Sequence, residues 1–531
     1  MAFFKRSALA LVSVAGLAQA ATSVTSSAVS TLATASATSG TVVLPYATYA
    51  ATLNASYSLY TYKNIRFADP PTGDLRMLNP VAPTTVNTTI QDGSYGQTCY
   101  QLEQGPNSGA LNQGEDCLFM DVVVPENIPS GTLLPVMLYL FGGGYHSGQK
   151  EIYDGSPLVT ASNNSMIYVV PNYRLGAFGF FGELGDVMPG LMDQVLAMEW
   201  VQSYIHLFGG DASEVTVAGH SAGGGSLMTH LVANGGEGTL PFKRAIVMSP
   251  AVPPNSAAEY ITERNAGILD YFGYDNYTRA DIIALPATSI NDLTAHYGAS
   301  GWGPIVDGDY FRELPGYAMA AGRYHSGMPI LSGKLSDEAH NYIPTGSPYI
   351  INGDSNIRNM TYDTEEQMID FFTTMGFHLN SSVIDEAWNL YPTINNTDMY
   401  YTIFGKYDHI YTEALFSCNS YYLETAYTSV NGWYFDIWPG YHAQENPYLF
   451  LGGIGSGSTS QYTINTTVSA FMKSYVVNFV MSADVNAGGT APEWDLYSVA
   501  QQNIELGSTN VGMIADPMTN NRCVWWQSHM A

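Results

Sequence analysis

Apolar positions along the chain fall into two kinds of run. Pro135 to Phe141, Met166 to Asn172 and Val215 to Ala218 are short and rich in β-branched or bulky apolar residues, and they read as strands. Asp193 to His206 and Gly225 to Val232 are longer, mix polar with apolar positions, and read as helices. Their alternation from about Val42 onward predicts the α/β class, with a large, mostly parallel central sheet flanked by helices.

The first residues follow another pattern. Lys5 and Arg6 precede an apolar run from Ala8 to Ala18, which ends in Ala18-Gln19-Ala20. This is the layout of a signal peptide over residues 1–20, and the run is too short to cross a bilayer. Residues 21–42 are almost entirely Ala, Ser, Thr, Val and Gly, with too few large apolar side chains to drive packing, so a disordered leader is expected. No linker, repeat or charge block interrupts residues 43–531, so a single domain is expected there. No later stretch is long and apolar enough for an integral membrane anchor.

Composition narrows the possible partners. Of the 531 residues 46% are hydrophobic and only 12% charged, a balance that supports a large core and excludes wholesale disorder. Acidic residues outnumber basic ones by 46 to 18, a formal charge of −28. That excess is a poor match to phosphate backbones, so no nucleic-acid partner is expected. N-x-[ST] sequons begin at Asn54, Asn87, Asn163, Asn276, Asn359, Asn380, Asn395 and Asn465, acceptors for N-glycans in an exported chain. Four cysteines suit an oxidising compartment and allow three pairings. Closeness in sequence favours Cys99 with Cys117, leaving Cys418 with Cys523, and the first bridge would be worth about 3 kcal/mol in loop entropy. Their spacings do not suit zinc, and neither a metal nor a cofactor is expected.

Two glycine-rich segments carry candidate chemistry. Gly219-His220-Ser221-Ala222-Gly223 follows the strand Glu214 to Ala218 and opens a helix. In such a strand-turn-helix the serine occupies a strained turn that thrusts its hydroxyl outward, and glycines two residues to either side avoid collisions with neighbouring backbone. The helix that follows aims its N-terminus at the reaction centre, where N–H groups stabilise negative charge. Phe141-Gly142-Gly143-Gly144-Tyr145-His146-Ser147-Gly148 ends the strand Pro135 to Leu140. Its glycines are either a plain flexible turn or a place where N–H groups converge on one oxygen.

Taken with their neighbours, these residues resemble the type B carboxylesterase and lipase family, the cholinesterase-like branch of the α/β-hydrolases, and in particular its secreted fungal members. Phe208-Gly209-Gly210-Asp211 followed by Val215 to Gly224 is similar to the family's active-serine signature, and Glu115-Asp116-Cys117-Leu118-Phe119-Met120-Asp121-Val122 to its second. Ile65 to Pro71, Asn172-Tyr173-Arg174-Leu175-Gly176 and Gly190-Leu191-Met192-Asp193-Gln194 also match in order and spacing. The resemblance implies an α/β-hydrolase fold, Ser221 as nucleophile, and the N–H groups of Gly143, Gly144 and Ala222 as oxyanion donors. It implies Glu338 of Asp337-Glu338-Ala339 as the acid, although the family's terminal Gly is Ala here and Asp337 is the alternative. Chain order leaves His340, His378, His409, His442 and His529 as possible bases. The family's His-Gly-x-Asp pattern is most similar to His442-Ala443-Gln444-Glu445. The same resemblance implies the two disulfides given above, and structural ion pairs of Arg66 with Glu115 and of Arg174 with Asp193.

The implied activity is a secreted serine carboxylic ester hydrolase that forms an acyl-enzyme with a small-molecule ester. The loop Tyr100 to Asp116 has no Trp, and His220 stands where the family usually has Glu, so a choline ester is not expected. That loop is also short and mostly polar, which favours soluble esters over an interfacial lipase or sterol esterase. A non-catalytic binding protein on the same fold is the alternative from another class. Tyr145, Trp302 and Tyr441 are candidates to line the pocket.

Overall fold

The computed structural model describes residues 40–102, 112–182, 188–252, 278–297, 301–343, 399–450 and 463–529, with shorter stretches between 264 and 273 and between 349 and 397. Residues 1–39, where the signal sequence and most of the leader are expected, lie outside the described residues, as do the sequons at Asn276, Asn359, Asn380 and Asn395 and the candidate His378. The described residues include a strand at the end of the expected leader. Thr41–Val43 pairs antiparallel with Thr48–Ala50 and buries Val42, because β-branched side chains suit a half-covered strand.

Eleven strands make the central sheet: β1 (Thr52–Asn54), β2 (Leu59–Arg66), β3 (Phe119–Pro125), β4 (Leu134–Leu140), β5 (Ile167–Pro171), β6 (Gly210–His220), β7 (Arg244–Met248), β8 (Ile330–Leu335), β9 (Val430–Asp436), β10 (Gln502–Gly507) and β11 (Val511–Ala515). Their spatial order is β11-β10-β9-β8-β7-β6-β4-β5-β3-β2-β1. The run from β5 through β10 is parallel, whereas β1, β2, β3 and β11 pair antiparallel at the two sides.

Alternation along each strand divides the core in two. In β4, Val136, Leu138 and Leu140 face one cluster, while Met137 and Tyr139 face the other. Ile167 and Val169 separate from Tyr168 and Val170 in the same way on β5. A strand covered on both faces needs apolar residues at every position, which is why these segments read as continuous runs. Helices α1 (Pro189–Tyr204) and α2 (Ala222–Leu231) cover the first face with Leu191, Trp200, Val201, Leu227 and Leu231. Thr466–Ser482 covers the second with Val468, Met472, Tyr475, Val476 and Phe479.

The predicted elements are present with shifted ends. Helix α1 starts four residues before Asp193, at Pro189, whose missing N–H costs nothing in a first turn. Strand β6 runs from Gly210 to His220, longer than its apolar centre at Val215 to Ala218.

Both expected disulfides are formed, Cys99 to Cys117 and Cys418 to Cys523. The second spans 105 residues, a loop whose closure is worth about 4.7 kcal/mol in the chain-entropy treatment. One expected ion pair differs. Arg174 meets Asp193 at 2.7 Å, but Arg66 pairs with Asp116 at 2.6 Å, while Glu115 pairs with Arg76 at 2.6 Å. Glu115 and Asp116 are adjacent in an extended turn and point apart, so each finds its own arginine.

Candidate active site

Strand β6 ends at His220, and the chain turns at Ser221 with φ 57° and ψ −122° before entering α2. That left-handed, strained backbone is held by packing around it. The flanking glycines are required by space. A Cβ on Gly219 would stand 2.3 Å from the Gly223 carbonyl oxygen, and one on Gly223 would stand 2.1 Å from that of Leu140. Ala222 is the first residue of α2, where N–H groups have no intrahelical acceptor.

The glycine run at the end of β4 lies directly against this turn. A Cβ on Gly142 would come within 2.7 Å of the Ser221 Cβ. Gly143 adopts φ +127° and Gly144 φ +61°, and the Gly143 carbonyl accepts from the Ser147 N–H at 3.0 Å. A side chain at Gly143 would meet the Ser147 carbonyl oxygen at 2.1 Å. A side chain at Gly144 would meet the His146 ring at 2.7 Å, so both positions need glycine for space as well as for their left-handed backbone.

Glu338 and His442 come from the loops after β8 and β9, neighbouring parallel strands. Their pairing continues beyond the strands through a parallel bridge of Asp337 with Tyr441, in which the Asp337 N–H donates to the Gly440 carbonyl at 3.0 Å. The extension carries two residues 104 apart in sequence to within 2.7 Å, His442 Nδ1 against Glu338 Oε2. Both side chains are buried. The Leu335 N–H donates to Glu338 Oε1 at 3.0 Å, so the carboxyl group is gripped by its own loop.

Burial sets the proton affinities here. It pushes His442 well below the usual imidazole value. It also raises the proton affinity of Glu338, opposed by the Leu335 N–H and the Ser249 hydroxyl and assisted by Glu445, while the 2.7 Å contact with His442 Nδ1 favours the carboxylate form. Neutral imidazole is the form in which a histidine can take a proton.

Several neighbours carried no signal in the sequence. The Phe416 ring packs on His442 with centroids 4.2 Å apart, and Tyr342 approaches at 5.5 Å. Phe416 lies on a π-helical turn, Glu413–Ser417, between Ile403–Thr412 and Cys418–Ala426. One extra residue per turn re-aims a side chain in a way that no periodicity in the sequence marks. Ser249, with φ 44°, follows β7, and its hydroxyl donates to Glu445 Oε1 at 3.5 Å. His220 Nε2 lies 3.3 Å from Glu445 Oε1, and the rings of His220 and His442 are 4.8 Å apart.

The other candidates fall elsewhere. His340 Nδ1 meets Asp408 Oδ2 at 2.9 Å, and its ring stacks on Tyr441 at 4.5 Å. His409 pairs with Glu413, and His529 lies on the last helix against Trp525. Asp337 joins His340 and Asp408, away from the His442 Nδ1 that Glu338 occupies. Tyr145 is buried, its hydroxyl donating to the Ala251 carbonyl at 3.2 Å, and Trp302 is buried under Arg264. Of the sequons within the described residues, Asn87 and Asn163 are exposed and Asn54 is half-buried. Asn465 caps the helix Thr466–Ser482, its Oδ1 accepting from the Thr467 and Val468 N–H groups.

Among the described residues one group has a metal-ligand set, Asp337, His340 and Asp408, with ligand atoms within 4.8 Å of one another. Burial and the charge of Asp408 raise the proton affinity of Asp337, opposed by His340. A shared proton relieves the repulsion between the carboxylates without an ion.

Comparison with known proteins gives the family and the fold. The carboxylesterase family profile matches residues 48–526. The carboxylesterase patB of Aspergillus clavatus is 29% identical over 90% of this chain and 94% of its own length. Lipase 1 of Geotrichum candidum is 26% identical over 82% of this chain and 86% of its own. The crystal structure of Aspergillus niger EstA superposes with a TM-score of 0.79 at 27% identity, covering 92% of this chain and 98% of that one. With the order of its strands and the positions of its glycine turns, the chain belongs to the carboxylesterase family and is a carboxylic ester hydrolase of the α/β-hydrolase fold.

Proposed function

We propose that the chain hydrolyses soluble carboxylic esters through an acyl-enzyme on Ser221, with His442 as base and Glu338 as its orienting acid. The 2.7 Å contact of Glu338 with His442 Nδ1, beside the strained Ser221 turn, carries this reading. Donation from Nδ1 to the carboxylate leaves Nε2 with its lone pair, able to take the Ser221 proton as the oxygen attacks the ester carbonyl. The N–H groups of Gly143, Gly144 and Ala222 receive the oxyanion, each worth about 10² to 10³ in turnover. Collapse of the tetrahedral intermediate expels the alcohol with the proton from His442, and water releases the acid by the reverse sequence.

The short loop closed by Cys99 and Cys117 supports soluble esters over a lipid interface. The likeness to a Geotrichum candidum lipase supports the second reading, an interfacial lipase or sterol esterase. One experiment with two arms tests both. A fluorophosphonate should label Ser221, found by peptide mass spectrometry, and hydrolysis of a short-chain triglyceride should rise smoothly through its solubility limit. An unlabelled protein would remove the enzyme reading in favour of a binding protein. A sharp rise at the limit would favour the lipase.

The pH dependence follows from burial. His442 must be neutral to act as base, and its proton affinity is depressed, so activity is present above the folded value and falls only when pH drops through it. The acidic limb of kcat/KM is therefore expected to have its midpoint below 6.5, the usual imidazole value. A midpoint near 7 or above would contradict this origin.

Export of the chain is part of the proposal, with residues 1–20 removed and residues 43–531 as the catalytic domain. Two disulfides support an oxidising compartment, and among the described residues no helix is long and apolar enough to cross a membrane.

A further inference from the structure

Beside His442 lie two buried carboxylates, and the proposed reaction uses only one. Glu338 bonds His442 Nδ1, while Glu445, three residues after His442, is fully buried and also acts on the His442 charge. An imidazole flanked by two carboxylates could turn toward either, and the proposed reaction needs the Glu338 bond to Nδ1, which keeps Nε2 as the proton acceptor. Something must hold the second carboxylate.

His220 is placed to do so. It ends β6, one residue before Ser221, and its ring is buried between the glycine run and the His442 loop. A Cβ on Gly142 would stand 2.8 Å from the His220 carbonyl oxygen and 3.2 Å from its Nδ1, so the ring has no room to swing toward β4. On one side Asn446 Nδ2 approaches His220 Nδ1 at 3.4 Å, and on the other Nε2 faces Glu445 Oε1 at 3.3 Å. With the Asn446 amide N–H donating to Nδ1, that nitrogen is unprotonated and the ring hydrogen is on Nε2, on the Glu445 side, 3.3 Å from Oε1 but off the line of a hydrogen bond, so the contact is electrostatic.

We propose that His220 is a positioning residue for ester hydrolysis, holding Glu445 so that Glu338 alone partners the His442 ring. The proposal rests on the reading of Ser221, Glu338 and His442 as the catalytic trio. Every neighbouring element supplies a group to this arrangement. Ser249, after β7, donates to Glu445 Oε1 at 3.5 Å. Tyr139 on β4 and Tyr153 face Glu445, and burial beside that charge keeps both phenols protonated. His442 and Asn446 come from the loop after β9, and Glu338 from the loop after β8. Without the His220 donor, the Glu445 charge would be free to act on His442, favouring imidazolium and drawing the ring from its working position.

The test is a set of variants of the full chain, each normalised by fluorophosphonate titration of active sites. His220→Ala is expected to lower kcat by about 10²-fold, the cost of a misplacement of ~1 Å, with KM little changed. It is also expected to raise the midpoint of the acidic limb by about one unit, as an unopposed nearby anion does. His220→Gln keeps a donor and an acceptor and should restore both values toward the parent. Adding Glu445→Gln to His220→Ala removes the competing charge and should return the midpoint. If His220→Ala does not fold, His220→Asn, too short to reach Glu445, carries the same expectation. A parent-like pH profile and kcat per titrated site in the Ala or Asn variant would overturn the proposal, as would a double variant whose midpoint stays raised. Failure of the trio itself looks different, because the parent protein would then not be labelled at Ser221.

Discussion

Replacing Ser221 by alanine is expected to lower kcat for a soluble aryl ester by about 10⁶, the loss seen when a nucleophile is deleted from such a trio. The folded state should be unaffected. Alanine keeps the Cβ, so the turn at φ 57° and ψ −122° costs it what it costs serine. The three main-chain bonds that hold the turn are untouched: the Ser221 N–H to the Met248 carbonyl at 3.0 Å, and the N–H groups of Gly225 and Ala251 to the Ser221 carbonyl at 2.8 and 3.0 Å. Steady-state kinetics together with a thermal melt check this. An unshifted melting curve with activity gone supports the assignment, and turnover near that of the parent protein sinks it.

Glu338→Gln is expected to cost about 10⁴ in kcat, again with the fold retained, because an amide of the same shape reverses one hydrogen bond. The Gln carbonyl oxygen can still accept from the Leu335 N–H, which now meets Glu338 Oε1 at 3.0 Å. The amide NH2 then faces His442 Nδ1, which must accept, and the ring hydrogen moves to Nε2. In that tautomer His442 cannot take the Ser221 proton. Asp337→Asn is the control, since Asp337 is tied to His340 and Asp408. Loss of activity in the Asp337 variant with retention in Glu338→Gln would exchange the two roles. The measurement is kcat across the pH range, on protein whose active sites have been titrated.

Much of the fold was legible beforehand because it depends on local pattern. Two-sided burial makes β4 and β5 continuous apolar runs, and a strand-turn-helix leaves glycines at fixed offsets around its serine. Both disulfides and the Arg174 pair with Asp193 also agree with what the family resemblance implied. Arg66 did not, since which of two adjacent carboxylates reaches it depends on the direction each side chain takes from the turn.

What the sequence by itself determined is the alternation of elements and the identity of groups able to do acyl-transfer chemistry, properties of residues close along the chain. Tertiary structure decided which groups meet. His220 and Asn446 are 226 positions apart, and Phe416 reaches His442 only through a π-helical turn. Such contacts depend on strand order, crossover path and helix register, which set the distance between remote side chains and leave no period along the chain from which to read it.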